Sequence, residues 1–334
     1  MTGSTQTKPA PLSGIRVFDM TRVLAGPTCT QILGDLGAEI IKIERPGRGD
    51  DSRGLGPPYL KDAEGQETRE SAYFLAANRN KRSLTLNLTS PEGQDIARRL
   101  IADSDVVVEN FRAGTLARYG LGAGDMCKAN PRLIYCSVTG FGQTGPYASR
   151  GGYDYLVQAM GGIMSVTGEP DGPPTKVGVG VSDIITGMYA AISIQAALRH
   201  REISGEGQHI DMALLDAQVA WLSYVGENYL VSNEVPERLG SHHPNIVPYQ
   251  VFEAKDGLMV LAVGNDAQFE RFCKFAGISE IAEDERFATN GGRVTNREII
   301  TEILADIIKA KPIDHWVEGL VGVNVPCSPI NNID

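Results

Sequence analysis

Apolar positions in this chain alternate between short β-branched runs and longer helical patterns. Residues 15–19 (IRVFD) predict a strand, followed by a Gly-Pro turn at Ala25, Gly26 and Pro27. A helical pattern over 28–37 leads to a second strand at 38–44 (AEIIKIE). Strand, turn, helix and strand in that order predict a parallel pair. Residues 46–58 concentrate Gly, Pro and charge and predict a long surface loop. Then come a strand over 84–88 (LTLNL), a helix over 91–102 with Ser90 as N-cap, and strands at 105–109 (DVVVE) and 132–138 (RLIYCSV). This alternation predicts an α/β fold with an open, Rossmann-like parallel sheet.

Beyond residue 138 the pattern gives a helix over 153–164, a Gly/Pro turn at 169–174 and a glycine-rich strand at 177–181. The strand leads through Ser182-Asp183 into an apolar run, 184–198, that reads as a largely buried helix. A strand at 209–214, a helix at 217–230 and a Gly/His/Pro loop at 240–248 follow. From Tyr249 the pattern changes. Two strands, 250–254 and 258–263, flank Lys255-Asp256-Gly257 as a hairpin, with helices at 266–275 and 296–310. The expected division is a flexible N-terminus (1–11), a large α/β domain (12–225) and a smaller α+β domain (226–334). The closing PCSPINNID reads as a loop leading onward, so a further C-terminal segment is expected.

The formal net charge of -10 argues against nucleic acid as a partner but leaves room for a local basic site. No apolar run reaches the roughly 18 residues of a bilayer span, so no membrane partner is expected. The cysteines (Cys29, Cys127, Cys136, Cys273, Cys327) are odd in number and scattered, which suits a cytoplasmic location and neither a disulfide framework nor a zinc site.

The first βα turn, RVLAGPTCTQ, lacks GxGxxG, and no GxxxxGK[ST] occurs, so nicotinamide and ATP are poorly supported. Basic residues gather in three stretches: Lys42, Arg45, Arg48 and Arg53; Arg79, Lys81 and Arg82; Arg112 and Arg118. All lie at strand ends or in following loops, where open α/β sheets bind ligands. Solvated loop charge is one reading of them and a polyanionic small molecule the other. Asp183 sits between the glycine-rich strand and the buried helix. It reads either as an N-cap or as a carboxylate kept ionised by the helix dipole and free N–H groups, able to attack an activated acyl carbon. His242-His243 diverge as adjacent side chains, and His200, His209 and His315 are scattered, so no metal site is expected. HExxH and GxSxG are absent.

The segments LSGIRVFDMTRVLAGPTCTQILGDLGAEIIKIERPGRGDDSR, NRNKRSLTLNL, ENFRAGTLARYGL, NPRLIYCSVTGFGQTGPY, GGYDYLVQAMGG, TGEPDGPPTKVGVGVSD and GEGQHIDMALLDA resemble the class III, formyl-CoA/carnitine type, CoA-transferases. HHPNIVPYQVFEAKDGLMVLAVGNDAQFERFC and VPCSPINN resemble the succinyl-CoA:dicarboxylate, glutarate-type branch. The resemblance implies a Rossmann-like large domain, a smaller domain and an interlocked homodimer. It implies transfer of CoA from an acyl-CoA, such as succinyl-CoA, to a carboxylic acid through an aspartyl-CoA thioester. Coenzyme A would be a substrate, with no tightly bound cofactor. By the same resemblance Asp183 is the nucleophile, and Leu24, Ala25, Arg45, Leu86, Asn87, Leu88, Thr89, Asn110, Phe111 and Arg118 contact CoA. Arg150, Tyr153, His242 and His243 are the candidates for the far end of a dicarboxylate. Formyl-CoA members carry glutamine at the position of Leu24, and racemases of this type carry GHD where Gly152-Tyr153-Asp154 stands. The first departure argues against an oxalate/formate role, and the second, which removes the racemase acid/base, favours a transferase. An acyl-CoA racemase and a catalytically silent CoA-binding protein remain the alternatives.

Overall fold

A computed structural model describes residues 9–334; positions 1–8 of the expected flexible N-terminus lie outside the described residues. The chain forms two compact units. The first runs through Met164 and resumes over Lys176–Glu227; the second comprises Ser165–Thr175 and Asn228–Asp334. The change of pattern placed a boundary at 225/226. The excursion of Ser165–Thr175 into the second unit has no counterpart in that pattern.

The first unit opens with β1 (Arg16–Met20), α1 (Ala25–Asp35) and β2 (Glu39–Glu44). A hairpin, β3 (Tyr59–Lys61) and β4 (Glu67–Ser71), precedes α2 (Ala72–Ala77) and β5 (Lys81–Thr85). Next come α3 (Pro91–Ala102), β6 (Val106–Glu109), α4 (Ala123–Ala129), β7 (Ile134–Thr139) and α5 (Asp154–Met160). The unit continues with α6 (Val181–Ser204), β8 (His209–Ala213) and α7 (Leu214–Ala220), and α8 (Ser223–Ser232) runs into the second unit. Six strands pair in parallel in the order β5-β2-β1-β6-β7-β8. The order reverses between β1 and β6, which makes the C-terminal ends of those two strands a topological switch point.

Helices cover both faces of the sheet, and β6 shows why its run of valines is needed. Val106 and Val108 pack with Val17, Cys29, Leu33 and Ile194 on one face. Val107 packs with Phe18, Met20, Ala97 and Tyr135 on the other. A strand buried on both faces cannot alternate apolar and polar. Among the described residues one helix, α6, is long and apolar enough to cross a membrane, although no uninterrupted apolar run of that length exists in the sequence. It packs closely along α1, and also against α7, β7 and β8. Gly187 makes the closest approach possible: a Cβ there would stand 2.6 Å from the Ala25 carbonyl oxygen.

The second unit holds β9 (Tyr249–Ala254) and β10 (Gly257–Ala262), the expected hairpin, with β11 (Cys327–Pro329) added antiparallel to β10. Helices α9 (Asp266–Ala276), α10 (Ser279–Glu283), α11 (Asn290–Thr295), α12 (Arg297–Lys309) and α13 (Ile313–Gly322) complete it. Its own core includes Phe252, Met259, Leu261, Phe269, Phe272 and Trp316.

Four local expectations are corrected. Ala25, Gly26 and Pro27 are not a turn but the start of α1. Proline is tolerated there because first-turn N–H groups need no partner inside the helix. The strand expected at 84–88 is Lys81–Thr85, because its pairing with Ile40–Glu44 fixes the register and ends it before Leu86. Residues 177–180 do not form a strand; they lead directly into α6. The helix expected at 217–230 is broken into α7 and α8. Ser90 caps α3 as expected, accepting the Gly93 N–H at 3.1 Å.

Candidate active site

Two neighbouring cavities open at the switch point. The more apolar, about 340 Å3, is lined by Met20, Arg22, Ile43, Arg45, Leu86, Asn87, Leu88, Thr89, Phe111 and Tyr119, among others. The second, about 260 Å3, is lined by Arg22, Val23, Leu24, Ala25, Asn110, Phe111, Arg112, Arg150, Tyr153 and Asp183, among others. Arg22 and Phe111 belong to both, with the Arg22 guanidinium 4.9 Å from the Phe111 ring centre. One elongated ligand can therefore run from the apolar cavity past Arg22 and Phe111 to the Asp183 carboxylate. Beneath them the buried Glu109 accepts the Phe111 N–H at 2.8 Å. Burial raises the Glu109 pKa to about 7 against the lowering effect of its donors.

Asp183 is not the N-cap. Gly180 holds that position and Asp183 is the third residue of α6. The first-turn N–H groups are already engaged. Asp154, the first residue of α5, offers Oδ1 to the N–H of Ser182 at 2.8 Å and to that of Asp183 at 3.3 Å. The N–H groups of Val181 and Ile184 donate to the carbonyls of Val179 and Gly180. Gln158 Nε2 donates to the other Asp154 oxygen at 2.7 Å, one turn along α5. The expectation that free N–H groups keep Asp183 ionised is therefore corrected. Burial first, and the Asp154 carboxylate second, raise the Asp183 pKa from 3.8 to about 7. The Tyr73 phenol on α2 has its pKa raised by burial and then by the same two carboxylates.

The expected contacts separate cleanly. Arg45 and the stretch Leu86 to Thr89 line the apolar cavity; Leu24, Ala25, Asn110, Arg150 and Tyr153 line the other, and Phe111 lines both. Arg45 is ion-paired with Asp51, and Arg150 stacks on Tyr147 at 4.0 Å. Arg118 lines neither cavity. It is exposed on a short 3-10 turn, Ala117–Tyr119, whose neighbouring Tyr119 faces the apolar cavity. His242 and His243 also line neither cavity and lie in the second unit. There the His242 Nδ1 is 2.8 Å from the Leu239 carbonyl, and His243 packs edge-on to Tyr249.

The recurrence of basic residues at strand ends and in the following loops is mostly structural. Lys42 pairs with Asp50 at 2.8 Å and Lys81 with Asp19 at 3.3 Å, all buried. Arg53 binds Glu44 and Glu70, Arg79 binds Asp35, and Arg82 binds Glu39. Burial alone would raise the Asp19 pKa, but Lys81, Lys42 and two threonine hydroxyls outweigh it and lower it. Sequence reasoning missed Arg22, whose place just past β1 at a switch point was the available signal. It also missed Asp154, which lies 29 residues before Asp183 in the chain.

The sequence profile described as CoA-transferase family III matches residues 12–334, and the chain belongs to that family. It is 52% identical, over 100% of this chain and 83% of the relative, to a protein named succinate–glutarate CoA-transferase from Agrobacterium fabrum (strain C58 / ATCC 33970). It is 44% identical, over 97% of this chain and 72% of the relative, to a Homo sapiens protein named succinyl-CoA:glutarate CoA-transferase. The crystal structure of a CAIB/BAIF family protein from Brucella suis superposes with a TM-score of 0.84 at 49% identity, covering 98% of this chain and 85% of that one. The enzyme is thus a CoA-transferase, acting on CoA thioesters as substrates.

The raised Asp183 pKa has a consequence for stability. Between its unfolded value near 4 and its folded value of about 7, the native state binds more protons, so stability falls as pH rises through that window. Asp183→Asn removes the penalty. Its melting temperature is expected to exceed the parent's at pH 8, with the gain fading toward pH 4; no gain at pH 8 would contradict the burial effect.

Proposed function

We propose that this enzyme moves CoA from succinyl-CoA to a second dicarboxylic acid, with Asp183 as the covalent carrier. The carrying observation is the placement of the Asp183 carboxylate in a cavity that shares Arg22 and Phe111 with the apolar cavity of Arg45 and Leu86 to Thr89. The names of the relatives from Agrobacterium fabrum and Homo sapiens support the choice of acids.

In the proposed reaction an Asp183 oxygen attacks the succinyl thioester carbonyl. The C–S bond breaks, CoA leaves as thiolate, and a mixed anhydride forms. The thiolate then attacks the aspartyl carbonyl and releases succinate, leaving CoA on Asp183. A carboxylate oxygen of the incoming acid attacks that thioester and expels the thiolate, giving a second anhydride. Attack of the thiolate on the new acyl carbon yields the product thioester and restores the Asp183 carboxylate. Atoms and charge balance without an added oxidant, nucleotide or metal. The cavity keeps thiolate and anhydride together and holds water away. Arg112 and Arg150 line the Asp183 cavity and supply positive charge for the far carboxylate of a dicarboxylic acid.

The chain carries no histidine at the Gly152-Tyr153-Asp154 position, and Asp154 is occupied in capping α6. That favours transfer over α-proton exchange. The homodimer is part of the same proposal. Large apolar side chains stay exposed on the single chain, among them Leu230 (67%) and Val231 (83%) on α8 and Val235 (75%). Sedimentation at micromolar concentration is expected to give a dimer, and a monomer would contradict this part.

Asp183→Ala is expected to reduce succinyl-CoA:glutarate exchange by at least about a thousandfold, the scale set by losing a nucleophile. Hydroxylamine added with succinyl-CoA should place a hydroxamate on Asp183, read by peptide mass. Full transfer by Asp183→Ala, or equal modification without acyl-CoA, would overturn the mechanism.

A further inference from the structure

The turn that brings Leu24 and Ala25 to the Asp183 cavity is held in a conformation its own residues resist. Val23 has a φ of 71°, the left-handed region, where a β-branched side chain crowds its own backbone. Such a conformation persists only where the surroundings over-determine it. Here they do. Three successive backbone N–H groups are accepted by side chains, one from the end of β1 and two from the segments that follow β6 and β2: Thr21 by Asp19 Oδ1 at 2.8 Å, Arg22 by Asn110 Oδ1 at 2.9 Å, and Val23 by Asp50 Oδ1 at 3.2 Å. Two carbonyls are held as well. Lys42 Nζ donates to Thr21 at 2.8 Å and Asn110 Nδ2 to Arg22 at 2.7 Å.

Lys42 and Asp50 act on both ends of this turn and on each other, as an ion pair at 2.8 Å with both side chains buried. Asp50 is placed in turn by Glu44, which accepts its N–H at 2.8 Å. A buried charged pair is a poor way to gain stability alone, since well-packed apolar residues often do as well. What this pair does geometrically lies one residue further on. Leu24 Cδ2 is 3.1 Å from where a Cβ on Gly180 would stand, and the Ala25 carbonyl oxygen 2.6 Å from one on Gly187. These glycines lie at and within the start of α6, the helix that carries Asp183. The path of the chain through Val23 therefore sets how the turn and α1 seat against the helix of the carboxylate.

We propose that Lys42 and Asp50 are positioning residues for CoA transfer. They hold Val23 in the left-handed conformation and so fix the Leu24–Ala25 wall of the cavity against Asp183. The proposal rests on the reading of Asp183 as the reacting carboxylate, and its test separates the two.

The test is a double-mutant cycle on the purified enzyme, with succinyl-CoA and glutarate. Asp50→Ala is made in the parent and in a Val23→Gly background, because glycine adopts the left-handed conformation without strain. In the parent, Asp50→Ala is expected to lower kcat by roughly 10- to 100-fold, the scale of backbone strain left unheld, with a smaller change in KM. Relative to Val23→Gly, adding Asp50→Ala should cost less than about threefold, because the glycine no longer needs holding. Asp50→Asn, which keeps a carbonyl acceptor for the Val23 N–H, should lose less than Asp50→Ala. It carries the same comparison if the alanine variant does not fold. An equal loss in both backgrounds, or a loss in kcat that simply follows the melting temperature, would overturn the proposal. Asp183→Ala is assayed alongside. Activity there would defeat the covalent reading, whereas the coupling between Val23 and Asp50 reports only on the turn.

Discussion

One carboxylate oxygen, Asp154 Oδ1, binds the N–H groups of Ser182 and Asp183 at the start of α6, and the chemistry proposed for Asp183 depends on that contact. The helix start would otherwise offer its N–H groups and dipole to the nearest anion, which is Asp183. With Asp154 in place, Asp183 keeps its position on the first turn but gains no hydrogen-bond donors among the described residues. Burial and a like charge then set its protonation, near pH 7. A carboxylate so weakly stabilised is a better nucleophile toward a thioester than one held by several hydrogen bonds. Its pKa also lies close to neutral pH, so a small electrostatic change alters how much of it can react.

In the proposed reading the rest of the first unit arranges ligand access to that group. The parallel sheet reverses its order between β1 and β6, and the segments leaving those strands supply Arg22, Asn110 and Phe111. Asn110 ties the two segments together through the Arg22 backbone. Arg22 and Phe111 are the shared edge of two cavities of different character. A molecule with an apolar or aromatic end and a reactive end reaches both at once, which suits an acyl-CoA.

Much of this was legible in the chain. The valine and isoleucine runs of the central parallel strands carry their own signal, because those strands are covered on both faces and their few polar residues, such as Asp19 and Lys42, are buried only as paired groups. Asp183 was legible from its place before a buried helix, and the hairpin at Lys255-Asp256-Gly257 from its turn residues. What escaped was whatever depends on a partner remote in sequence. Lys42, Lys81 and Arg79 look like a ligand site until Asp50, Asp19 and Asp35 are seen beside them. Asp154 reads as an ordinary residue of a Gly-Tyr-Asp stretch until the fold brings it to α6. The alternation of Leu84 to Leu88 continues past the end of the pairing, so the pattern alone could not show that Leu86 and Leu88 leave the sheet to line a cavity.

The most direct measurement is kcat/KM for succinyl-CoA against pH in the parent and in Asp154→Asn. Since kcat/KM reports the protonation state of the free enzyme, the parent should lose activity below an apparent pKa near 7. Removing the charge of Asp154 while keeping an acceptor for the helix should shift that limb to lower pH. A parent profile flat from about pH 5.5 to 8, or a limb that stays in place in the variant, would contradict the account.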